Sequence, residues 1–465
     1  MKRPAFYPIA ILILLAILAA ACAPAQPAAT QPPAAQATQA PVEEPTEPPA
    51  AEPTEAPAAS PTEAPAEKVT LKIMDNWGNQ TDAKGPPLHA VFDICMQENP
   101  DIVIQEEVYA DSEIVPKVET AFLAGEEPDL VFQNYPYGGS DDWVETGIAI
   151  DVADLIDQWG LKDKLKDAAI KQYTDTQGRV VAFPLEGFTW PMWYNMKILN
   201  EAGVNEVPKT IDELIDAAAK VRAAGYQPLS IGGGDWEGLA FFNLINSTMM
   251  TDEEFGEYYR KGEFSKSENF VKSVELFTKL RDAGVFADNA EGLEFATMNE
   301  LFFSGKAAML RAGSWSFAEL PEELQPDVVV AGFPLPDGSP HAKPLVAAGY
   351  VGKGIWITRN GTEKMDAIER FVKCFYRPEN IAKFVEAAGM TSPLKETPID
   401  ESKLNPLFLQ STKWGDTVSF VDVVDPYIPG TAWEDLLKVT KEAFLPGTPP
   451  EKIIENIDAA WLLHQ

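Results

Sequence analysis

Val69-Thr70-Leu71-Lys72-Ile73-Met74 alternates apolar and polar side chains, then breaks at Asp75-Asn76-Trp77-Gly78-Asn79. Such a period of two is the signature of a strand. A stretch rich in apolar residues follows to Asn99-Pro100 and reads as a helix. Ile102-Val103-Ile104-Gln105-Glu106-Glu107-Val108 is a second strand. Another helix runs from Glu113 to Ala124 and stops at Gly125, and Asp129-Leu130-Val131-Phe132 is a short buried strand. Strands alternating with helices predict an α/β fold around a largely parallel sheet. Ligands of such sheets bind in the crevice beyond the strand carboxyl ends. The loops that matter are therefore Asp75–Asp82, Tyr109–Asp111 and Gln133–Gly139.

The pattern continues downstream. Thr210-Ile211-Asp212-Glu213 predicts a capped helix start, with Thr as N-cap and Glu three residues on. Residues 252–284 read as mostly helical, Ala307–Leu310 and Val328–Phe333 as strands, and the final third as helical, closing with a helix that opens at Pro449-Pro450-Glu451. About 400 residues from Lys68 to Gln465 exceed the ~250–300 at which a single core stops growing, so two lobes are expected.

Upstream the composition changes. Met1-Lys2-Arg3 is cationic, Ile9 to Ala21 is apolar and uncharged, and Cys22 follows Ala19-Ala20-Ala21. The apolar run is too short for a spanning helix but suits the core of a secretory signal. The junction resembles a bacterial lipobox, with Leu18 one place earlier than usual. Residues 1–22 thus read as a lipoprotein signal with lipid attached to Cys22. Residues 23–67 hold 12 of the 39 prolines and no aromatic residue. Such a segment buries too little apolar surface to offset its ordering entropy, and it reads as a disordered, extended tether.

Setting aside the two basic and seven acidic residues before Lys68, the body carries 35 Lys+Arg against 64 Asp+Glu. A surface that negative repels phosphate backbones, so no nucleic acid partner is expected. Cys95 and Cys374 lie in apolar contexts and read as two buried thiols, with a disulfide as the alternative that an oxidising compartment allows. His89, His341 and His464 do not cluster, and no cysteine pair has metal spacing. No metal and no cofactor is expected.

Seven segments in order carry a family resemblance: Phe122–Val131, Gln177–Pro184, Trp193–Leu199, Ala202-Gly203, Val207–Leu214, Phe303–Met309 and Gly313-Ser314-Trp315. Together, behind a lipoprotein signal, they resemble the family 1 extracellular solute-binding proteins of bacterial ABC importers. The resemblance implies a two-lobed periplasmic-binding-protein-like α/β fold with a hinge and an interlobe ligand cleft. It implies crossings near Val180–Tyr194 and Phe333–Lys343. Lobe 1 would comprise 68–183 plus 344–395, and lobe 2 184–343 plus 396–465. It also implies a monomer outside the cytoplasm, anchored to the membrane through lipid on Cys22, that hands a small solute to ABC permease subunits.

A sugar offers apolar C–H faces and a rim of hydroxyls, which call for aromatic platforms beside paired donors and acceptors. Of the eleven tryptophans, Trp77, Trp190, Trp236 and Trp315 sit at chain breaks facing the expected cleft. The resemblance adds Trp433 and assigns stacking on ligand to Trp315. Asn134, Tyr135, Glu186, Asp235 and Tyr350 are the polar and aromatic candidates beside them, with Asn76 and Asp111 of the same kind. A glycoside hydrolase would also pair carboxylates with aromatics, but no nucleophile elbow, His-Glu-x-x-His or Walker sequence is present. The expectation is a binding protein for a carbohydrate, an oligosaccharide, not an enzyme. The alternatives are a polyamine or a polyol phosphate bound by the same fold.

Overall fold

The computed structural model describes residues 68–78, 84–135, 140, 142–428 and 432–464. The expected lipoprotein signal, Cys22 and the expected tether fall outside the described residues. Strands β1 (Val69–Asp75), β2 (Ile102–Val108) and β3 (Leu130–Gln133) form the parallel part of a five-stranded sheet in the order β2-β1-β3-β11-β4. The short β4 (Phe183–Pro184) closes one edge, and β11 (Gly354–Ile357) enters antiparallel between β3 and β4. A strand contributed some 170 residues after β4 leaves no local signature, so the sheet is mixed where the sequence suggests mainly parallel pairing.

A second sheet has the order β7-β8-β6-β9, from β6 (Met192–Asn195), β7 (Gln227–Ser230), β8 (Ala307–Arg311) and β9 (Val328–Ala331). Its strands β6 and β8 are almost wholly buried and correspondingly apolar, as expected for a sheet covered on both faces. The helix Ile211–Ala223 leads into β7 and is capped by Thr210, whose side chain accepts the Glu213 N–H.

The third sheet joins the two lobes. Strand β5 (Phe188–Trp190) follows β4 and precedes β6, and it pairs with β10 (Leu345–Gly349), which in turn pairs with β12 (Ser419–Asp422). The chain thus passes from the first sheet to the second through β5 and returns through β10. The return, expected over Phe333–Lys343, extends into β10, because Phe333 and Leu345 already bridge one another.

One expectation is overturned. Cys95, on the helix Gly85–Glu98, and Cys374, on the helix Met365–Phe375, form a disulfide with Cα atoms 5.7 Å apart. Both helices pack together beside the first sheet, with Phe92 at their contact meeting Phe371 and Phe375. A separation of 279 residues hides that proximity from any local reading. The bridge ties the returning segment to the helix that follows β1. Among the described residues no helix is long and apolar enough to cross a membrane.

Candidate functional site

A cavity of about 340 Å³ lies between the lobes, at the carboxyl ends of the first sheet's parallel strands. Its first wall begins at Asp75, fully buried at the end of β1. One carboxylate oxygen of Asp75 accepts the N–H groups of Trp77 and Gly78, each at 2.7 Å. This Asx turn directs the chain out of the sheet and places the Trp77 indole at the cavity. Burial, reinforced by the neighbouring Glu106, pushes the Asp75 carboxyl up to about 7.

Lys353, just before β11, ties this wall together. Its Nζ donates to Asp111 at 2.6 Å and to Gln133 at 3.1 Å, and it lies 5.8 Å from the Trp77 ring centre. Its backbone N–H donates to Glu186 Oε1 at 3.0 Å. Glu186 is 1% exposed, and its Oε2 has no hydrogen-bond partner among the described residues. The carboxylate fits only because residue 352 is glycine; a Cβ there would collide with it. Burial raises the Glu186 carboxyl to about 7, opposed by Lys84 and by the Lys353 amide and charge. Asn134 follows β3 into the same cavity.

The facing wall is aromatic. Trp190 and Trp315 have ring centres 5.1 Å apart, Phe188 lies 5.1 Å from Trp315, and Trp236 lies 5.4 Å from Trp190. Phe295 extends the row at 4.9 Å from Trp236. The Trp315 ring folds back over Gly313, where any Cβ would strike it. The glycine in Gly-Ser-Trp is thus a packing requirement.

Behind Trp190 sits a buried ion pair. The Arg311 guanidinium lies 3.9 Å from the Trp190 ring centre and donates to Glu237 at 2.8 Å; the two side chains are 1% and 0% exposed. Burial pushes the Glu237 carboxyl up, and the Arg311 guanidinium beside it holds it down. Asp425, also lining the cavity, is raised to about 6 by burial.

Seven residues singled out from the sequence line this cavity: Trp77, Asn134, Glu186, Trp190, Trp236, Trp315 and Trp433, together with the weaker candidates Asn76 and Asp111. Three do not. Tyr135 is core, packed against Tyr173 and Trp356. Tyr350 turns away and accepts a hydrogen bond from Lys166 at 3.0 Å. Asp235 is a helix cap: its carboxylate accepts the Glu237 N–H at 3.1 Å and the Phe295 N–H at 2.6 Å. It holds Trp236 and Phe295 in place without lining the cavity. An Asp directly before an apolar helix is a capping signal, and reading it so would have separated it from the lining residues.

The lining residues that the sequence reading missed include Phe188, Phe295, Met390, Asp425 and Lys353. Phe188 is two positions from Trp190 on one strand and therefore shares its face, a signal that was available. Lys353 and Asp425 carry none, because only chain crossing brings them here.

The wall chemistry yields a stability prediction. The folded Glu186 carboxyl holds its proton to about pH 7, whereas the unfolded group releases it near 4.5. The unfolded chain therefore binds fewer protons between those values, and this residue's contribution to stability falls as pH rises through the window. Glu186→Gln is expected to remove about 3 kcal/mol of that decline. Urea unfolding from pH 4 to 8 checks it; parallel curves for the two proteins would refute the assignment.

Residues 78–382 match the family described as bacterial extracellular solute-binding protein. Among solved structures, the chain is 34% identical to a probable secreted solute-binding lipoprotein from Streptomyces coelicolor, covering 85% of this chain and 99% of that one at a TM-score of 0.75. Among curated proteins, it is 25% identical over 207 residues to a probable sugar-binding periplasmic protein of Mesorhizobium japonicum, 43% of this chain and 48% of that one. It is 24% identical over 305 residues to the sn-glycerol-3-phosphate-binding periplasmic protein of Escherichia coli K12, 62% of this chain and 64% of that protein. The chain thus spans about half to two-thirds of the length of these two curated relatives.

Proposed function

The chain belongs to the family of bacterial extracellular solute-binding proteins, and from that premise we propose that it captures a carbohydrate for an ABC importer. The ligand lies between lobe 1 (68–183 plus 344–395) and lobe 2 (184–343 plus 396–465), and closure of the lobes presents it to the permease subunits. Lipid on Cys22 holds the protein at the outer face of the cell membrane, with residues 23–67 as its tether. The protein acts as a monomer and leaves its ligand chemically unchanged.

The observation that carries this reading is the pairing of the two walls. A row of five aromatic rings offers faces for sugar C–H groups, while Asn134, Asp111, Lys353 and Glu186 offer donors and acceptors opposite. The lining cations Lys84 and Lys353 face the carboxylates of Asp111 and Glu319, beside Glu186 and Asp425 whose carboxyls burial raises, which leaves a phosphate no net positive charge. A polyol phosphate, the ligand class named for the Escherichia coli relative, is the less favoured occupant for that reason.

Calorimetric titration of the purified body with neutral saccharides and with sn-glycerol 3-phosphate tests the reading. Binding of a saccharide without release of reducing ends is expected. Tighter binding of the phosphate than of every sugar would overturn the ligand class, and sustained hydrolysis abolished by Glu186→Gln would make the protein a hydrolase. For the anchor, Cys22→Ala is expected to leave the protein unprocessed or free of the membrane; wild-type partitioning of the variant would refute lipid attachment.

A further inference from the structure

Behind the turn that carries Trp77 stand three titratable side chains, Asp75, Glu106 and His89, that are not part of the cavity lining. Parallel pairing sets Ile73 of β1 beside Glu106 of β2 and Asp75 beside Val108, so these four side chains share one face of the first sheet. From that face Glu106 and Val108 pack against the turn at Gly78. A Cβ on residue 78 would collide with both, so the close approach requires glycine.

Asp75 Oδ1 is occupied by the N–H groups of Trp77 and Gly78. Its Oδ2 is buried and meets no hydrogen-bond donor among the described residues. The side chain within hydrogen-bonding reach of this carboxyl is Glu106, a second carboxyl. Two ionised carboxylates are acceptors only and repel, whereas one proton between them turns the contact into a hydrogen bond. Glu106 is tied in turn to His89, whose Nε2 lies 2.8 and 3.1 Å from its two oxygens. A ring N–H facing both oxygens marks Glu106 as the ionised partner and leaves the proton on Asp75. The other charges near the turn are Lys84 and Lys353, 4.9 and 5.8 Å from the Trp77 ring centre, Asp111 bonded to Lys353, and Glu107 bonded to the Tyr109 hydroxyl.

We propose that Glu106 is a positioning residue of the solute site: a proton that it shares with Asp75 holds the Trp77 turn, and solute capture weakens as that proton leaves. The proposal rests on the interlobe site proposed above and adds a regulation by pH. With both carboxylates ionised, their repulsion loosens the turn and Trp77 loses its fixed place on the wall. A solute seated against Trp77 needs the turn intact and shields it from water, so the occupied protein keeps the proton to higher pH than the empty one. Capture therefore takes up a proton once the pH exceeds about 7, where the Asp75 carboxyl of the empty protein titrates, and affinity declines above that value.

Two measurements on the full body test this. In ligand-free protein labelled with 15N-tryptophan, the Trp77 backbone amide, which donates to Asp75, is expected to titrate with a midpoint near pH 7. In Glu106→Gln, whose amide donates to Asp75 at every pH, the same resonance is expected to stay still between pH 6 and 8.5. Calorimetric titration with a neutral saccharide that binds reads the consequence: wild-type affinity is expected to fall roughly 3- to 30-fold over that range, and Glu106→Gln is expected to remove the decline. Asp75→Asn, isosteric and a donor to Glu106, is the second variant and is expected to flatten the profile as well. A wild-type Trp77 amide that does not move, or a decline that persists in both variants, would overturn the proposal. Failure of every saccharide to bind would remove the carbohydrate reading alone, because the amide titration decides on the shared proton without a ligand.

Discussion

Replacing Arg311 by methionine is expected to destabilise the folded body by about 3–5 kcal/mol, because it leaves Glu237 buried without its partner. Glu237 is fully buried, and the Arg311 guanidinium at 2.8 Å supplies its counter-charge. The same substitution removes the guanidinium that lies against the Trp190 ring. Solute affinity is therefore expected to fall even where the protein remains folded. The double variant Arg311→Met/Glu237→Leu discriminates between the two effects. Replacing both partners by apolar groups of similar volume is often neutral for stability, so melting should return toward wild type while binding stays weak. If the double variant binds like wild type, the ion pair does not position Trp190. If Arg311→Met alone leaves the urea midpoint unchanged, the buried pair is not a structural unit.

Trp315→Ala is expected to weaken saccharide binding roughly 5- to 150-fold, the loss of a stacking face worth about 1–3 kcal/mol. Trp315 stands at the centre of the aromatic wall, with Phe188 and Trp190 each 5.1 Å away and Trp236 at 6.2 Å. It is only partly buried, so its removal opens the cavity more than it hollows the core, and the melting of the ligand-free protein should stay near wild type. Trp77 lies on the opposite wall, following β1, whereas Trp315 follows β8 of the second sheet. A ligand touching both shifts the lobes toward closure by its differential affinity for the closed state. Ligand should therefore compact the wild-type protein in solution scattering and change its tryptophan fluorescence. Unfolding of the second lobe by Trp315→Ala would instead assign this ring to the core.

The α/β alternation, the first three strands and the capped helix at Thr210 were legible from the sequence, because each rests on a local signal. Periodicity of two or 3.6, a Thr-x-x-Glu start and a glycine stop act within a few residues. The tryptophans at chain breaks carry a local mark of the same kind, a bulky ring beside a glycine or a strand end, and they line the cavity although Trp77 and Trp190 are only 3% and 4% exposed and also pack in the core. Tyr135 and Tyr350 carry the same local marks as Trp77, yet one packs against Tyr173 and Trp356 and the other binds Lys166. Side-chain direction at a loop is set by what the rest of the chain leaves room for.

By itself, then, the sequence determined the fold class, the ordered segments of the family and a supply of aromatic rings at the right strand ends. Tertiary structure alone decided which of them face one another. It brought Lys353 to Asp111 across 242 residues and Arg311 to Glu237 across 74. It paired Cys95 with Cys374 and inserted β11 between β3 and β4. Of these, the Lys353, Cys374 and β11 contacts depend on the passage through β5 and the return through β10. Their partners are chosen by burial of whole faces, a long-range condition that no short window of residues encodes.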